Sequence, residues 1–182
     1  MEIPVSHIFK KDPDFITYGD VCLEAGGGYS ENIFWWHVEW RNEIKALTLK
    51  NLKITRRCEK SKELDSVNLL EFAVEIINYA GIIVYFRENP TTCFHEFPLL
   101  LNWTDNMTSK SWIRKAASRT NKGKSLQRLL CSLMINNPVG LKAEHIPGEN
   151  NVLADAISHT YSSTYSQISF DKLFQEFPQI KS

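Results

Sequence analysis

The order of strand-like and helix-like segments is the feature that most restricts the fold of this chain. Residues 15–23, 33–40 and 44–54 contain many aromatic and β-branched side chains and predict three strands before the first long helix. The glycine run at residues 26–28 predicts the turn between the first two strands. Because no helix separates these strands, we expect them to pair antiparallel.

Helices and strands alternate in the rest of the chain. Ser66 is the predicted N-cap of a helix over residues 66–80, which ends at Gly81. The remaining predicted elements, in chain order, are strands at 82–86 and 99–104, helices at 107–118 and 125–136 on either side of Gly123, a strand at 139–144, a loop at 145–150 and a helix at 151–159. Six segments are thus candidate strands, and the assignment of the middle ones stays open. The prediction is an α/β fold with a five-stranded mixed sheet, its first three strands antiparallel, flanked by helices.

The length of 182 residues and the apolar content of 43% predict one ordinary domain with extensions and exclude a disordered chain. We assign residues 1–13 to an N-terminal arm, residues 14–160 to the domain and residues 161–182 to a C-terminal extension. Apolar residues spaced i, i+3, i+4 and i+7 in this extension predict a short helix that packs on the domain. These residues are Phe170, Leu173, Phe174 and Phe177.

The spacing of the cysteines points to an intracellular protein. The formal net charge is zero, so overall charge indicates no partner. None of the four cysteines lies in a C-x-x-C pair, which argues against a zinc knuckle and is typical of reduced thiols. The first residues form no apolar leader segment, and no apolar run is judged long enough to cross a bilayer. We therefore expect a cytoplasmic or nuclear location and no membrane partner.

Four acids lie within or next to predicted strands and helices, and each could also be a solvated or capping side chain. Asp20 lies within the first strand, Glu71 on the first long helix, Asp105 at the end of a strand and Asp155 near the start of the last helix. A carboxylate buried in a strand is costly without a partner. Divalent cations such as Mg²⁺ bind carboxylate oxygens, so the acids raise the hypothesis of a shared metal site.

Simpler interpretations of each acid remain open at this point. Asp105 is also a suitable N-cap for the helix that follows it. Asp155 also suits the first turn of a helix, where an acid complements the helix dipole. Glu71 and Glu75 lie on the same polar stripe of their helix, so periodicity does not choose between them.

The residues around these acids narrow the choice. They read GDVCLEAGGGYS at 19–30, NLLEFAVEI at 68–76, TDNMTSKSW at 104–112 and HIPGENNVLADAIS at 145–158. Together and in this order, the four stretches resemble the ribonuclease H-like domain of retroelement reverse transcriptases, in particular those of gypsy-type and DIRS-type elements. The resemblance spans about residues 14–160.

The resemblance implies a ribonuclease H-like fold and a catalytic set of four metal-binding carboxylates. By motif, these are Asp20, Glu71, Asp105 and Asp155, so the resemblance selects Glu71 over Glu75. It also places a catalytic-loop histidine at His145, for which the alternative is a loop residue that caps local backbone.

Two of the motifs depart from the usual pattern of the family. Relatives often read D-A-S where this chain has Asp20-Val21-Cys22, and S-R where it has Ser158-His159. Neither departure removes a carboxylate.

The activity implied by the resemblance is hydrolysis of the RNA strand of an RNA·DNA hybrid, with 5′-phosphate products. Two Mg²⁺ ions are implied as cofactors, and Mn²⁺ is possible in their place. The chain has no Y-x-D-D element, so any polymerase domain of a reverse transcriptase is a partner in cis or in trans. One alternative is a catalytically silent module that binds nucleic acid or a protein partner. Another is a different nuclease of the same fold, such as an integrase, a junction resolvase or an exonuclease.

A run of basic residues follows the third acid, and no acid interrupts it before Glu144. Such a run is expected to contact phosphates with little sequence preference, the alternative being solvated helix faces. Its members are Lys110, Arg114, Lys115, Arg119, Lys122, Lys124 and Arg128.

Further candidates for contact with nucleic acid are polar residues near the acids. A hybrid is distinguished from DNA by its 2′-hydroxyl groups in the minor groove. Asn106, Thr108 and Asn151 are predicted contacts, with Ser109 as a further candidate donor. The tryptophans of the second strand are assigned to the core in preference to base stacking.

Overall fold

The computed structural model describes residues 12–31, 33–55, 64–89, 97–118 and 120–159. Within these ranges the chain forms five strands, five α-helices and one short 3₁₀ turn. The strands are β1 (Phe15–Val21), β2 (Ala25–Ser30), β3 (Phe34–Glu39), β4 (Leu99–Thr104) and β5 (Gly140–His145). The helices are α1 (Asn42–Thr55), α2 (Leu64–Glu88), α3 (Met107–Lys115), α4 (Asn121–Asn136) and α5 (Val152–Ser158).

The five strands form one mixed sheet in the order β3-β2-β1-β4-β5, with β1 at the centre. β1, β2 and β3 pair antiparallel, whereas β4 runs parallel to β1 and β5 runs parallel to β4. The predicted α/β class, the number of strands in the sheet and its antiparallel start are therefore confirmed, although two of the predicted strands are helical and β2 was not predicted. Because β1, β4 and β5 are parallel neighbours, their carboxyl ends meet at one edge of the sheet, where ligands bind in many α/β proteins.

Two predictions in the first third of the chain are wrong. The glycine run at 26–28 lies within β2 and is not a turn. Residues 44–54 lie in α1 and are not a strand. Glycine is a poor strand former, but here the strand needs it because helices approach closely on both faces. A Cβ atom on Gly26 would lie 2.9 Å from the Val74 side chain of α2, and one on Gly27 would lie 2.6 Å from the Ile157 side chain of α5.

The predicted end of the first long helix at Gly81 and the predicted strand at 82–86 are also wrong. Both lie inside α2, which runs on to Glu88. Gly81 is in the helix for a packing reason, because a Cβ atom there would come within 2.7 Å of the Phe34 ring. Ile82 is completely buried in the main core, so its β-branched side chain reflects packing and not a strand.

α2 is long and apolar enough to span a bilayer by length and composition, over residues Val67–Glu88 with a mean hydropathy of 1.6. This corrects the expectation that no apolar run was long enough. The helix packs against β1, β2 and β4, and its side chains Phe72, Val74 and Tyr79 are completely buried. Burial in the core of this fold accounts for its apolar character.

Helices cover both faces of the sheet. α2 lies on one face with α4 packed behind it, and α5 lies on the other face over β1 and β2. Trp40 is buried beside Val74, whereas Trp35 packs around Ile157, so the assignment of the aromatic strand to the core is confirmed.

The later helices begin or end at different residues from those predicted. α3 ends at Lys115, where Ala116 adopts a left-handed conformation with φ of 47°. α4 begins before Gly123, since the Thr120 side chain accepts a hydrogen bond from the Gly123 amide and caps the helix. The predicted helix around Phe170 lies outside the described residues, as does most of the predicted N-terminal arm.

Candidate functional site

Two of the predicted acids lie side by side at the carboxyl edge of the sheet. Tyr18 of β1 is in register with Trp103 of β4, so Asp20 and Asp105 lie opposite each other two residues further along the two strands. Asp20 is 7% exposed, and Asp105 is partly buried. The parallel pairing of β1 and β4 is therefore what brings together two acids that are 85 positions apart.

Glu71 joins these two acids from α2. Asp20, Glu71 and Asp105 each offer a carboxylate oxygen, and these oxygens all lie within 4.8 Å of one another. Glu71 is 5% exposed, and its Oε2 atom is buried with no hydrogen-bond partner among the described residues. A carboxyl group buried in that position is stable only if it is protonated or if a cation lies beside it.

Glu75, the alternative that periodicity left open, lies one turn deeper and belongs to no such group among the described residues. Its side chain is 1% exposed, and burial raises its pKa to about 8. The structure therefore places Glu71, and not Glu75, against Asp20 and Asp105. This outcome agrees with the choice that the resemblance made.

A buried polar network fixes the position of α2 along the strands of the sheet. The Asn78 side-chain amide donates to the Tyr18 carbonyl at 3.2 Å and to Asn102 Oδ1 at 3.2 Å. Asn102 donates in turn to the backbone carbonyl of Glu75 at 3.2 Å and accepts from the Thr17 hydroxyl. These bonds link β1, β4 and α2, so they fix the position of the Glu71 backbone relative to the strand ends.

The fourth acid, Asp155, approaches Asp20 from the other face of the sheet. Asp20, Asp155 and His159 form a second group whose ligand atoms lie within 4.8 Å of one another. The Ser158 hydroxyl donates to Asp20 Oδ2 at 2.7 Å, which connects α5 directly to β1. Asp20 is thus common to both groups.

Three contacts anchor α5 and its preceding residue to the sheet. The Asn151 amide donates to the Gly19 carbonyl at 2.9 Å. His37 Nδ1 lies 2.8 Å from the Ile157 carbonyl, and the Cys22 thiol lies 3.2 Å from the Ser158 carbonyl. Because all three partners belong to β1, β3 or the β1–β2 connection, the sheet sets the position of Asp155.

The packed carboxyl groups retain protons more strongly than isolated ones. Burial, together with the charges of Asp105 and Asp155, raises the pKa of Asp20 to about 6, despite the opposing hydrogen bond from Ser158. Burial and the charges of Asp105 and Asp20 raise the pKa of Glu71 well above its usual value. Burial also raises the pKa of Asp105. The site therefore has an excess of negative charge that a bound cation would balance.

The donor set fits a hard divalent cation. Every ligand atom of the Asp20–Glu71–Asp105 group is a carboxylate oxygen, and the buried Glu71 Oε2 has no other described partner. Such oxygen sets bind Mg²⁺ and Mn²⁺.

His145, the predicted catalytic-loop residue, is the last residue of β5 and is partly buried. It opposes, as a minor influence, the rise in the pKa of Asp105 that burial causes, so it lies on the Asp105 side of the cluster. It belongs to neither ligand group.

Three of the predicted nucleic-acid contacts are already engaged within the fold. Asn106 caps α3 by accepting from the Thr108 and Ser109 amides, and its own amide donates to Asn68 at 2.9 Å. Asn151 is 3% exposed, so its side chain anchors α5 and is not accessible to a substrate. Lys110 Nζ lies 2.7 Å from Glu144 Oε2, and its side chain is 16% exposed. The structure therefore argues against Asn151 as a nucleic-acid contact.

The rest of the basic run is placed differently. Arg114 and Lys115 end α3, and Lys122, Lys124 and Arg128 lie on α4; all five are exposed. Arg119 lies outside the described residues, and Thr108 is partly buried.

Lys124 and Arg128 border a groove of about 580 Å³ between the end of α3 and α4. Its other lining residues are Ala116, Ala117, Ser118, Gln127, Cys131, Ser132, Ile135 and Asn136. The two cations stand one helical turn apart, as contacts to successive phosphates require.

Sequence reasoning missed two residues that contact the acids. Ser158 bonds Asp20, and His159 contacts Asp155. The available signal was the spacing of four residues between Asp155 and His159, which places both side chains on one face of a helix.

Comparisons with protein-family models, with curated proteins and with solved structures find no match to this chain.

Proposed function

We propose that the protein is a metal-dependent endoribonuclease that hydrolyses the RNA strand of RNA·DNA hybrids. One observation carries this proposal. Four carboxylates, from β1, α2, the residue after β4 and α5, belong with His159 to two overlapping ligand groups that share Asp20. Two ions about 4 Å apart, held by a shared acid, are the arrangement that phosphodiester hydrolysis by two metals requires.

The arrangement of elements supports a ribonuclease H-like fold. Its mixed sheet has β1 at the centre, a long acid-bearing helix on one face and the last acid-bearing helix on the other. The four sequence stretches that resemble retroelement ribonuclease H domains supply all four acids of the cluster. We propose from this resemblance that the chain derives from a reverse transcriptase, with a polymerase domain as partner in cis or in trans.

In this proposal the acids have separate tasks. Glu71 and Asp105 would hold one ion and Asp155 the other, and Asp20 could serve both because it belongs to both groups. Bound divalent ions supply an acidified water as nucleophile and stabilise the leaving oxygen. His145 moves a proton on the Asp105 side of the cluster, where its charge acts on that carboxylate.

Substrate affinity comes from cations outside the cluster. Arg114, Lys115, Lys122, Lys124 and Arg128 are exposed and carry charge that no described carboxylate pairs. In contact with phosphates they supply affinity with little dependence on base sequence. Discrimination of RNA from DNA then depends on 2′-hydroxyl contacts near the cluster.

A cleavage assay with matched substrates tests this function. The wild-type protein is incubated with an end-labelled RNA·DNA hybrid, and with DNA and RNA duplexes of the same sequence, in Mg²⁺, Mn²⁺ or a chelator. We expect cleavage of only the RNA strand of the hybrid, with 5′-phosphate products and complete loss of activity in chelator. Asp20→Asn measures any contaminating nuclease, and the exposed Glu43 supplies a control carboxylate in Glu43→Gln.

The outcome also separates the rival functions. Cleavage of DNA duplexes in preference to hybrids would reassign the protein to another nuclease class. Equal inertness of the wild type and Asp20→Asn, combined with retained binding to the hybrid, would favour a silent nucleic-acid-binding module. No binding and no cleavage would reject both nucleic-acid functions.

A further inference from the structure

His159 is the residue at the acid cluster that the proposed chemistry has not used. It follows α5 directly and stands four residues after Asp155. Its Nδ1 atom lies 2.9 Å from the Asp155 backbone carbonyl, 3.2 Å from Asp155 Oδ1 and 3.1 Å from the Ser158 hydroxyl oxygen, so the ring must release the carbonyl before this nitrogen binds an ion. Relatives in the family that the sequence resembles often carry arginine here, so an imidazole changes the chemistry available at this point.

The geometry around His159 fits one metal ion. Ligand atoms of Asp20, Asp155 and His159 all lie within 4.8 Å of one another. Ions of the first transition row bind carboxylate oxygen and imidazole nitrogen at about 2.0–2.2 Å, so ligand atoms around one ion lie roughly 3–4 Å apart. Small side-chain rotations therefore suffice to bring the three ligands onto one ion.

The side chains of Asp155, on α5, and of His159, directly after it, are also accessible from solvent. The His159 side chain is 31% exposed and the Asp155 side chain 37% exposed, whereas Asp20 is nearly buried. The Ser158 hydroxyl binds Asp20 Oδ2 at 2.7 Å and so fixes the orientation of the buried carboxylate. An ion would thus enter from the solvent side. It would meet Asp20 already oriented by Ser158, whereas Asp155 and His159 would turn toward it.

We propose that His159 is the third protein ligand of the ion that Asp20 and Asp155 hold, and that this position consequently prefers Mn²⁺ or a similar transition-metal ion over Mg²⁺. The proposal rests on the proposed function in that it assigns a further ligand to the same metal centre. Imidazole suits transition metals, whereas Mg²⁺ prefers oxygen ligands. The two groups would then differ, since the Asp20–Glu71–Asp105 group contains oxygen donors alone.

Mn²⁺ titration of the full chain tests the preference. Isothermal titration with Mn²⁺ and with Mg²⁺ is carried out on the wild type, His159→Ala and His159→Gln. We expect both variants to lower the Mn²⁺ affinity of one site at least about 10-fold, since even indirect partners of ligands contribute that much. The Mg²⁺ affinity should change less than about 3-fold, because oxygen ligands dominate Mg²⁺ binding.

Pulsed electron paramagnetic resonance of the Mn²⁺-loaded protein gives a readout that does not depend on activity. A coordinated imidazole produces modulation from its ¹⁴N nucleus, and we expect this signal in the wild type. It should disappear in His159→Ala and persist in His145→Ala, the matched control, which removes an imidazole from the Asp105 side of the cluster. Circular dichroism checks that each variant is folded. The ¹⁴N modulation in the wild-type resonance spectrum can be tested even if a variant fails to fold.

The results separate this proposal from the proposed function. Mn²⁺ binding that requires Asp20 but shows no ¹⁴N modulation dependent on His159 would overturn the ligand role alone, and would leave His159 as a hydrogen-bond donor that positions Asp155. Equal loss of Mg²⁺ and Mn²⁺ affinity in His159→Ala would also overturn it. A wild type that binds neither ion would overturn the metal centre itself.

Discussion

The acid cluster and the basic run are opposite cases of how sequence position relates to position in the fold. The four acids are spread over more than 130 residues, yet Asp20 belongs to two groups with ligand atoms within 4.8 Å. The basic residues follow one another along the chain with no acid between them, but their side chains lie apart in the fold. Lys110 turns inward to Glu144, whereas Lys124 and Arg128 stand exposed on a different helix.

The difference follows from the physical setting of each region. Asp20 and Asp105 end two neighbouring parallel strands, so the backbone register brings them together. The basic residues lie on helices, where successive residues point in different directions. Convergence of distant acids in a buried setting is therefore stronger support for a site than a run of exposed charge.

The largest expected effect separates Glu71 from Glu75. Glu71→Gln removes a ligand of the proposed metal centre, and we expect the single-turnover rate on a hybrid to fall by about 10³-fold or more. Glu75→Gln, one turn away on the same helix, should reduce the rate less than about 10-fold. A larger loss in Glu75→Gln than in Glu71→Gln would show that the cluster has been assigned to the wrong turn of α2.

The next effect concerns the pH dependence of stability without metal. The folded-state pKa of Asp20 is raised to about 6 and that of Glu75 to about 8, so the folded protein retains protons that the unfolded chain releases. Stability is therefore highest below the unfolded pKa values and is lost as pH rises through the folded ones. Between pH 5 and 8 in chelator, we expect a loss on the order of 3 kcal/mol, measured by urea unfolding.

Two variants attribute this loss to its sources. Asp20→Asn should flatten the profile only below about pH 6, whereas Glu75→Gln should flatten it over the whole range from pH 5 to about 8. Millimolar Mn²⁺ should restore stability at pH 8, because the ion binds only the folded state. Metal-free stability that rises with pH in the wild type would contradict the raised pKa values.

A smaller effect tests whether the packing of α5 against the sheet keeps Asp155 close to Asp20. Gly27→Ala would place a Cβ atom 2.7 Å from the backbone nitrogen of Ser158, so α5 must shift. Overpacking of this kind costs about 1–3 kcal/mol in unfolding free energy, and we expect Mn²⁺ affinity to fall with it. Gly140→Ala is the control, since its nearest contact is the flexible end of Leu99 at 3.2 Å. Equal Mn²⁺ affinity in the two variants would show that the position of α5 is irrelevant.

The smallest expected effect concerns the part of the basic run that lies on α4. The double variant Lys124→Ala/Arg128→Ala should weaken hybrid binding about 10-fold at low salt and reduce the slope of log affinity against log salt by about 2. Lys142→Ala, which removes a cation paired with Glu144 at 3.2 Å, should change neither quantity measurably. Fluorescence anisotropy at several salt concentrations measures both. An unchanged slope in the double variant would remove the α4 surface from the binding face.

The choice of the four acids came from the resemblance of the stretches around them, since periodicity left Glu71 and Glu75 equal. The sequence by itself indicated the α/β class, the antiparallel start of the sheet, β4 and β5. Each of these depends on local chemistry: strand formers in short runs and helix formers after caps. The sequence also favoured the core for Trp35 and Trp40, because a strand of large aromatic side chains needs burial.

Only the tertiary structure decided the features that depend on what packs against a residue. Gly27 lies in a strand because α5 requires the space, and Gly81 stays inside a helix because the Phe34 ring lies against it. The same holds for Asn151, which anchors α5, and for His159, which meets Asp155. Local propensity cannot predict such roles, since the favourable or unfavourable contact comes from a segment far away in the chain.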